Sequence, residues 1–418
     1  MRQYKFGSAL LMTMILVACG GGGDDVPAKP KFTAQVSFGD SLSDVGSYKV
    51  GKVAADGGGQ FTINVPGTTP TNWTQMTADK LGLPPPCAAQ KGLNDGTGIA
   101  SDTNVAVTND AACTGYGQGG AMVTNPIGVR NADPSNKDKG MQEDALTLPV
   151  VEQINNHLAA HGGGFTGSEI VLVMAGANDV LMQLGNLKAA VTVAIRNAVP
   201  GQIAADIASG ACVPTDAQAS NCVDAAVATL TPTVGAQTLI AYLTANTATA
   251  NLAMEAAANE LVAAVDTKIL AKNAKYVTVI NVPDITTTPF AATQNVPTKA
   301  FLAGLVTAFN NRLKIGLDAL PGKSNVLFVD ANTASHDETQ NPAKYNLANV
   351  ADTACNLTKP TPNSRESSLI CNLSNLATGV TPTNMGGYLF ADTVHPTPYG
   401  HLLFATYVLQ AMTNKGWY

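Results

Sequence analysis

Three short and almost continuous apolar runs constrain the fold of this chain more than any other feature. They span Glu169–Met174, Tyr276–Ile280 and Val326–Val329, and they have the length and β-branched content of strands buried on both faces. Alanine-rich helical segments occupy 189–271, and an amphipathic helix is predicted over 298–319. Strands that alternate with helices predict right-handed crossovers and a parallel sheet with helices on both faces. We therefore expect an α/β fold.

The loops that follow the strands are the expected place for a functional site. In open parallel sheets, ligands bind outside the carboxyl ends of the strands. A further strand is predicted over 35–38, so that Ser41, Asn178 and Asp284 each follow a predicted strand. We expect these three side chains to converge on one edge of the sheet.

The rest of the chain is predicted to complete one domain. Three shorter helices are predicted, around 72–81, 147–161 and 401–412. Residues 45–140 are expected to be mostly loop, and 212–237 break the helical pattern around them and are predicted to be an insertion. No internal repeat and no second core are apparent, so residues 32–418 are expected to form a single domain with loop insertions.

Composition and charge exclude two classes of protein. Of the 418 residues, 45% are hydrophobic and 13% are charged, which supports a sizeable core and argues against disorder. The 24 basic and 30 acidic residues give a net charge of −6, and the basic residues form no stripe. Nucleic acid is therefore not expected as a partner.

The first residues have the features of a signal for export. Arg2 and Lys5 form a positive segment, and they precede an apolar stretch over 9–18. A membrane-spanning helix needs about 20 apolar residues. The stretch is shorter than that, so a signal peptide that is removed is predicted rather than a membrane span.

The end of this stretch resembles the lipobox of bacterial lipoproteins. It reads Leu-Val-Ala-Cys at 16–19. The resemblance implies a signal peptide over 1–18, lipidation of Cys19 and a flexible tether over 19–31. With Gly20 after the cysteine, it implies a lipid-anchored protein of the bacterial outer membrane. An ordinary secretory signal that happens to contain a cysteine is the alternative.

The cysteines also favour an oxidising compartment. Of seven cysteines, six remain if Cys19 carries lipid, and an even number suits disulfide bonds. Six cysteines can pair in 15 ways. Their order in the chain favours three local pairs, Cys87 with Cys113, Cys212 with Cys222, and Cys355 with Cys371. No Cys-x-x-Cys motif occurs, and we expect no metal site.

Two short motifs contain the groups of a hydrolytic serine site. The first is Phe-Gly-Asp-Ser-Leu-Ser-Asp at 38–44, where Ser41 follows a predicted strand. A serine hydroxyl is a weak nucleophile until a neighbouring base takes its proton. The second is Asp-Thr-Val-His-Pro at 392–396, where the carboxylate of Asp392 can orient the imidazole of His395. The alternatives are a simple turn at Ser41 and an ordinary surface loop around His395.

The four other histidines are predicted to be structural. His157 and His161 end a helix, His336 follows a strand, and His401 begins the last helix. His401 competes most closely with His395 for the role of base, because it lies only six residues further along. We expect packing or helix capping from it.

These motifs resemble those of the GDSL, or SGNH, family of serine esterases and lipases. Gly-Tyr-Gly-Gln-Gly-Gly-Ala at 115–121 resembles the second conserved block of that family, and Gly-Ala-Asn-Asp at 176–179 resembles the third. The resemblance implies that Ser41 is the nucleophile. It also implies an oxyanion hole formed by the backbone N–H groups of Ser41 and Gly120 and by the side chain of Asn178.

The second block departs from the family pattern. Many relatives have Asn where Gly115 stands and Ala where Gly117 stands. Gly120 is identified by aligning the Gly-Gly-Ala end of the block, and Gly119 is the alternative. The segment Val-Pro-Asp-Ile at 282–285 resembles the bacterial lipase-like branch of the family.

The resemblance implies an SGNH-like three-layer fold and hydrolysis of carboxylic esters without a cofactor. The triad would be Ser41, His395 and Asp392. The expected partner is a small-molecule or lipid ester, with fatty-acyl esters favoured. An acyltransferase with the same triad, a carbohydrate acetylesterase and a non-catalytic surface binding lipoprotein are alternatives. Because a histidine base must be neutral, activity is expected to fall below about pH 6 to 7.

Overall fold

A computed structural model describes six stretches of the chain, residues 29–67, 69–92, 105–126, 147–212, 219–357 and 367–418. The signal peptide and Cys19 predicted above lie outside them. The strands are β1 (Ala34–Gly39), β2 (Gln90–Lys91), β3 (Thr108–Asn109), β4 (Glu169–Met174), β5 (Tyr276–Ile280), β6 (Val326–Val329), β7 (Asn349–Thr353) and β8 (Tyr388–Phe390). The α-helices are α1 (Gly51–Ala55), α2 (Trp73–Lys80), α3 (Val150–Ala160), α4 (Ala177–Ala208), α5 (Ala219–Leu230), α6 (Ala236–Ala264), α7 (Pro289–Ala292), α8 (Val296–Asp318), α9 (Ala331–Gln340) and α10 (Pro398–Asn414).

The centre of the fold is a four-stranded parallel sheet in the order β1-β4-β5-β6. The last residues of the four strands lie side by side, because Gly39 pairs with Met174, Met174 with Ile280, and Ile280 with Val329. The loops after the strands therefore leave the sheet from one edge. The parallel sheet predicted from the sequence is confirmed.

Helices cover both faces of this sheet. Side chains of a strand alternate between its faces. In β4, Val171 and Val173 pack in a core that includes residues of α3, α4, α6 and α8. Ile170, Leu172 and Met174 point into a second core with α2 and α10. Since β4 has an apolar core on each side, its sequence is a continuous apolar run rather than an alternating one.

The prediction that 212–237 interrupts the helices is wrong from residue 219 onward. Helix α5 begins at Ala219, and a π-helical turn over Thr231–Gly235 connects it directly to α6. Pro232 lies in this turn. A proline lacks the N–H of a regular helix, and a wider turn is one way to accommodate it without ending the helix.

A long helical arm extends from the domain. We use this name for residues 188–208 and 219–249, the part of α4, α5 and α6 beyond the buried residue Leu187. A few of its apolar residues, such as Ala226 and Leu230, are buried, but Val193 and Ile240 are 51% and 53% exposed. By length and composition alone, the continuous helical segment Asn221–Lys272 could cross a membrane.

The three predicted disulfide bonds are present. The Cα atoms are 5.0 Å apart in Cys87–Cys113, 5.8 Å apart in Cys212–Cys222 and 6.0 Å apart in Cys355–Cys371. Each pair is local in sequence, as predicted. Cys212–Cys222 joins the end of α4 to α5 at the far end of the helical arm.

Candidate active site

Ser41 lies in a tight turn directly after β1. The strand ends at Gly39, and a short 3-10 turn begins at Ser41. The side chain of Asp40 stabilises this turn, because its Oδ1 accepts a hydrogen bond from the N–H of Leu42 at 3.0 Å. A Cβ atom on Gly39 would be 2.6 Å from the carbonyl oxygen of Met174. Only glycine therefore allows β1 to turn so close to β4.

Gln153 on α3 fixes the backbone just before the serine. Its side-chain oxygen accepts a hydrogen bond from the N–H of Gly39 at 2.9 Å, and its side-chain nitrogen donates to the carbonyl oxygen of Gly39 at 2.8 Å. Gln153 is itself buried. One buried amide thus satisfies both backbone groups of Gly39.

The structure joins Ser41, His395 and Asp392 by hydrogen bonds. The Oγ of Ser41 lies 2.8 Å from Nε2 of His395. The Nδ1 of His395 lies 2.7 Å from Oδ2 of Asp392. An ionised carboxylate can only accept, so Nδ1 carries the proton and Nε2 accepts from the serine hydroxyl. Because both ring nitrogens are engaged, the imidazole is oriented for proton transfer from Ser41.

The carboxylate of Asp392 is held by four hydrogen bonds. Besides the imidazole, Oδ2 accepts from the N–H of Ser368 at 2.5 Å, and Oδ1 accepts from the N–H groups of Val394 and His395 at 2.9 and 2.8 Å. Burial acts to raise the pKa of this carboxyl group. The charge and hydrogen bond of His395, with the hydrogen bonds of Ser368 and Val394, outweigh burial and lower the pKa to about 2. Asp392 is therefore ionised throughout the neutral range.

An aromatic ring supports the imidazole from one side. The ring of Phe61 lies 5.0 Å from the ring of His395, centroid to centroid, and Phe61 is buried. The neighbouring Thr62 donates a hydrogen bond from its hydroxyl to the carbonyl oxygen of Pro396 at 2.9 Å. The loop that carries His395 is therefore packed against the segment around Phe61. Sequence reasoning gave Phe61 and Thr62 no role.

Asn178 is positioned by the start of α4. The helix begins at Ala177, and Gly176 before it has a φ of +113°, a value that favours glycine. A Cβ atom on Gly176 would be 2.5 Å from the ring of Phe309. Asn178 donates one side-chain N–H to the carbonyl oxygen of Ala121 at 3.0 Å. This bond fixes the amide and leaves its second N–H free to donate.

The backbone N–H groups of Gly119 and Gly120 differ in their hydrogen bonds. The N–H of Gly119 already donates to Oδ2 of Asp44 at 3.1 Å. Asp44 also accepts from the N–H groups of Gly46 and Ser47 at 2.8 and 2.7 Å, and burial raises its pKa to about 6 despite these bonds. In the part of the chain that the structure describes, the N–H of Gly120 donates to no other group.

These groups share one cavity of about 200 Å³. Ser41, Gly120, Asn178 and His395 all line it. Asp284 lines it too, so the side chains expected at the edge of the sheet do converge there. The remaining wall is mainly apolar and includes Leu42, Leu181, Ile285, Leu389, Phe390 and Phe404. The cavity can therefore bind a largely apolar molecule beside the serine hydroxyl.

His401 is a packing residue, as expected. It is fully buried, and its Nδ1 accepts a hydrogen bond from the N–H of Trp73, at the start of α2, at 3.4 Å. Burial and the charge of His395 lower the pKa of His401 to about 3, so it is neutral. His336 pairs through Nδ1 with Oδ2 of Asp284 at 2.7 Å and is largely exposed.

The Cys355–Cys371 disulfide lies close to the triad. The N–H of Cys355 donates to the carbonyl oxygen of Ala391, the residue before Asp392, at 2.9 Å. Cys371 ends the turn that begins at Ser368, the donor to Asp392. The disulfide thus links the two segments that position the carboxylate.

The described residues contain no group of three or more His, Cys, Asp or Glu side chains that could hold a metal ion. In the comparisons with known proteins, no family model and no curated protein matches the chain. A function for the site has to be inferred from its own residues.

Proposed function

We propose that this protein is a serine hydrolase of the SGNH type that cleaves carboxylic esters. The observation that carries the proposal is the chain of hydrogen bonds from Ser41 through His395 to Asp392, at the wall of a mainly apolar cavity. Serine, a base in contact with it and a carboxylate that orients the base are the components of nucleophilic acyl transfer. The motifs around them match the order of the SGNH blocks in the sequence.

In the first half of the proposed reaction, Ser41 Oγ attacks the ester carbonyl while Nε2 of His395 takes its proton. The C–O bond of the ester then breaks, the alcohol leaves with the proton from His395, and an acyl-enzyme remains on Ser41. The ionised Asp392 stabilises the imidazolium that forms between these steps.

In the second half, water attacks the acyl-enzyme and gives a proton to His395. The bond to Ser41 Oγ breaks, the serine regains its proton, and the carboxylic acid leaves. The negative charge on the carbonyl oxygen in both halves would be stabilised by the N–H groups of Ser41 and Gly120 and by the Asn178 amide. The free N–H groups of Gly120 and Asn178 support this assignment.

The mainly apolar cavity wall favours substrates whose ester carries an extended apolar group. An acetyl group would leave most of a cavity of this size unfilled, and the apolar residues that line it contribute by burying hydrocarbon. We therefore place fatty-acyl or other amphiphilic esters before acetylated sugars as substrates.

The direct test is hydrolysis of 4-nitrophenyl esters from acetate to palmitate by the protein and by its Ser41→Ala and His395→Ala variants. We expect turnover that needs both residues, with a chain longer than acetyl preferred. Circular dichroism would verify that the variants are folded. Turnover that persists in Ser41→Ala would overturn the proposal, and so would its absence from the natural protein together with a failure to react with a fluorophosphonate.

Anchoring by lipid at Cys19 is proposed from the sequence alone. A lipid anchor would hold the hydrolase in the outer membrane, next to amphiphilic esters. Incorporation of labelled palmitate into the natural protein, with none in a Cys19→Ala variant, is the expected result. Equal labelling of the two proteins would contradict it.

A further inference from the structure

The proposed substrate cavity contains a buried acidic side chain that ester hydrolysis does not require. Glu338 on α9 lines the cavity and is only 8% exposed. Within the described stretches, no hydrogen bond or ion pair reaches its carboxyl group. Burial in a mainly apolar wall disfavours the ionised form of a carboxyl group unless a partner of opposite charge is present. Such a group in a binding cavity is well suited to interact with a ligand.

Glu338 lies at one end of a stripe along α9. The residues of this helix that line the cavity are Ala331, Ala334, Ser335 and Glu338, which follow the spacing of one helix face. Ala331 comes two residues after the end of β6, at the edge of the sheet. Seven residues of helix span about 10 Å. The backbone of Glu338 therefore lies about 10 Å further along α9 than that of Ala331, and the cavity reaches along this face of the helix.

The carboxyl groups of the cavity wall differ in their partners: Oδ2 of Asp40 is buried and accepts no hydrogen bond, and neither oxygen of Glu338 has a partner in the described residues. Oδ2 of Asp284 pairs with His336, and Oδ1 of Asp40 accepts from a backbone N–H. No lysine or arginine is among the residues that line the cavity. Burial and the nearby charge of Asp337 raise the pKa of Glu338 to about 7. Above this pKa the carboxyl group of Glu338 is ionised, and it would then attract a cationic ligand and repel an anionic one.

We propose that Glu338 binds a primary ammonium group of the substrate, so that the preferred ester carries a positive charge remote from its carbonyl group. This inference rests on the proposed function, since it assigns a substrate class to the same site. The ammonium group would donate a charged hydrogen bond to the Glu338 carboxylate. The apolar side chains between Ser41 and Glu338 would contact the hydrocarbon that separates the two polar ends.

The test compares the binding of alkylammonium ions and neutral alcohols of equal length. Isothermal titration calorimetry at pH 8 would measure the dissociation constants of n-butyl- to n-octylammonium chloride and of 1-butanol to 1-octanol for the full-length protein. The variants are Glu338→Gln, which keeps the shape of the side chain, and Asp337→Asn. Asp337 is next to Glu338 but contacts Lys344 instead of the cavity, so its variant removes the same charge from outside the site.

We expect the natural protein to bind the ammonium ions about 10- to 100-fold more tightly than the matching alcohols, as a charged hydrogen bond would allow. Glu338→Gln should bring the ratio to about one, and Asp337→Asn should keep it. The same ratio in the natural protein and in Glu338→Gln would overturn the inference, and so would the absence of any preference in the natural protein. Calorimetry measures binding without turnover. A failure of the protein to hydrolyse esters would therefore be distinguished from a failure of Glu338 to bind ammonium ions.

Discussion

The polar groups of the site are held by partners that come from distant parts of the sequence. Asp392 accepts a hydrogen bond from the N–H of Ser368. Gln153 holds the backbone of Gly39, which is 114 positions away from it in the sequence. These contacts fix the backbone before Ser41 and the carboxylate of Asp392. In an enzyme, such preorganisation lowers the barrier because the groups need not be rearranged during the reaction.

Removal of the Asn178 amide provides a test of the oxyanion hole. We expect Asn178→Ala to lower kcat for a 4-nitrophenyl ester by roughly 10²- to 10³-fold, because one donor to the developing charge is lost. Asn155→Ala is a suitable control, since Asn155 lies on α3 and does not line the cavity. An unchanged kcat in Asn178→Ala would remove this residue from the site.

The buried carboxyl groups near the site also determine how stability depends on pH. Burial raises the pKa of Asp179 to about 7, well above its value in an unfolded chain. The folded protein therefore holds a proton that the unfolded chain has lost between about pH 4 and pH 7. By linkage, the stability that this group contributes is fully present below pH 4 and is lost as the pH rises to 7.

Asp179→Asn should remove the loss of stability between pH 4 and pH 7, because asparagine does not titrate. The asparagine oxygen can still accept the hydrogen bond that Val123 donates to Asp179 at 3.2 Å. We expect the variant to be more stable than the natural protein at pH 8 by about 2–4 kcal/mol and to differ little at pH 4. Urea unfolding at several pH values would measure the difference. Parallel stability curves for the two proteins would contradict it.

The hydrogen-bonded residues of the site differ in how visible they are in the sequence. Ser41, His395 and Asp392 stand in short motifs of a recognisable kind. Gln153 is one polar residue within an amphipathic helix, and Ser368 acts through its backbone N–H, which every residue except proline has. No local sequence pattern identifies Gln153 or Ser368, because the packing of the whole fold determines which group each of them contacts.

At the scale of secondary structure, two of the disulfides have different expected roles. Cys355–Cys371 links segments that hold Asp392, whereas Cys212–Cys222 lies at the far end of the helical arm. We expect Cys355→Ala/Cys371→Ala to lower kcat at least about tenfold, because the carboxylate loses a fixed support. Cys212→Ala/Cys222→Ala is the matched control and should retain kcat. Equal effects of the two double variants on kcat would contradict this assignment.

The sequence predicts the elements that have a strong apolar pattern. It does not predict a helix that continues through a proline. The four strands of the sheet and α8 were predicted within one or two residues of their observed bounds. The continuation of α5 through Pro232 was not, because proline normally ends a helix and nothing local in the sequence shows that a π-helical turn will accommodate it.

At the scale of the whole molecule, the fold has a rigid part and a part with few buried contacts. The four-stranded sheet is buried on both faces, but several apolar side chains of the helical arm, among them Val193 and Ile240, are exposed. Local opening is easiest where buried contacts are few. We expect backbone amides of the helical arm to exchange with deuterium faster than those of β4 and β5.

Hydrogen exchange measured by mass spectrometry would test this difference in stability. Residues 177–187 provide the internal control, because they belong to the same helix as part of the arm, and their apolar members Val180, Leu184 and Leu187 are buried. Exchange in the arm that is as slow as in 177–187 would show that the arm is no less stable than the domain.

The site joins two parts of the chain that are made at different times. Ser41 and His395 are 354 positions apart, and both must meet at the edge of one sheet. A ribosome completes the region of Ser41 long before that of His395. A nascent chain therefore has no proposed triad until residue 395 has emerged and packed against the sheet, so that ester cleavage would report the end of folding and never an early stage of it.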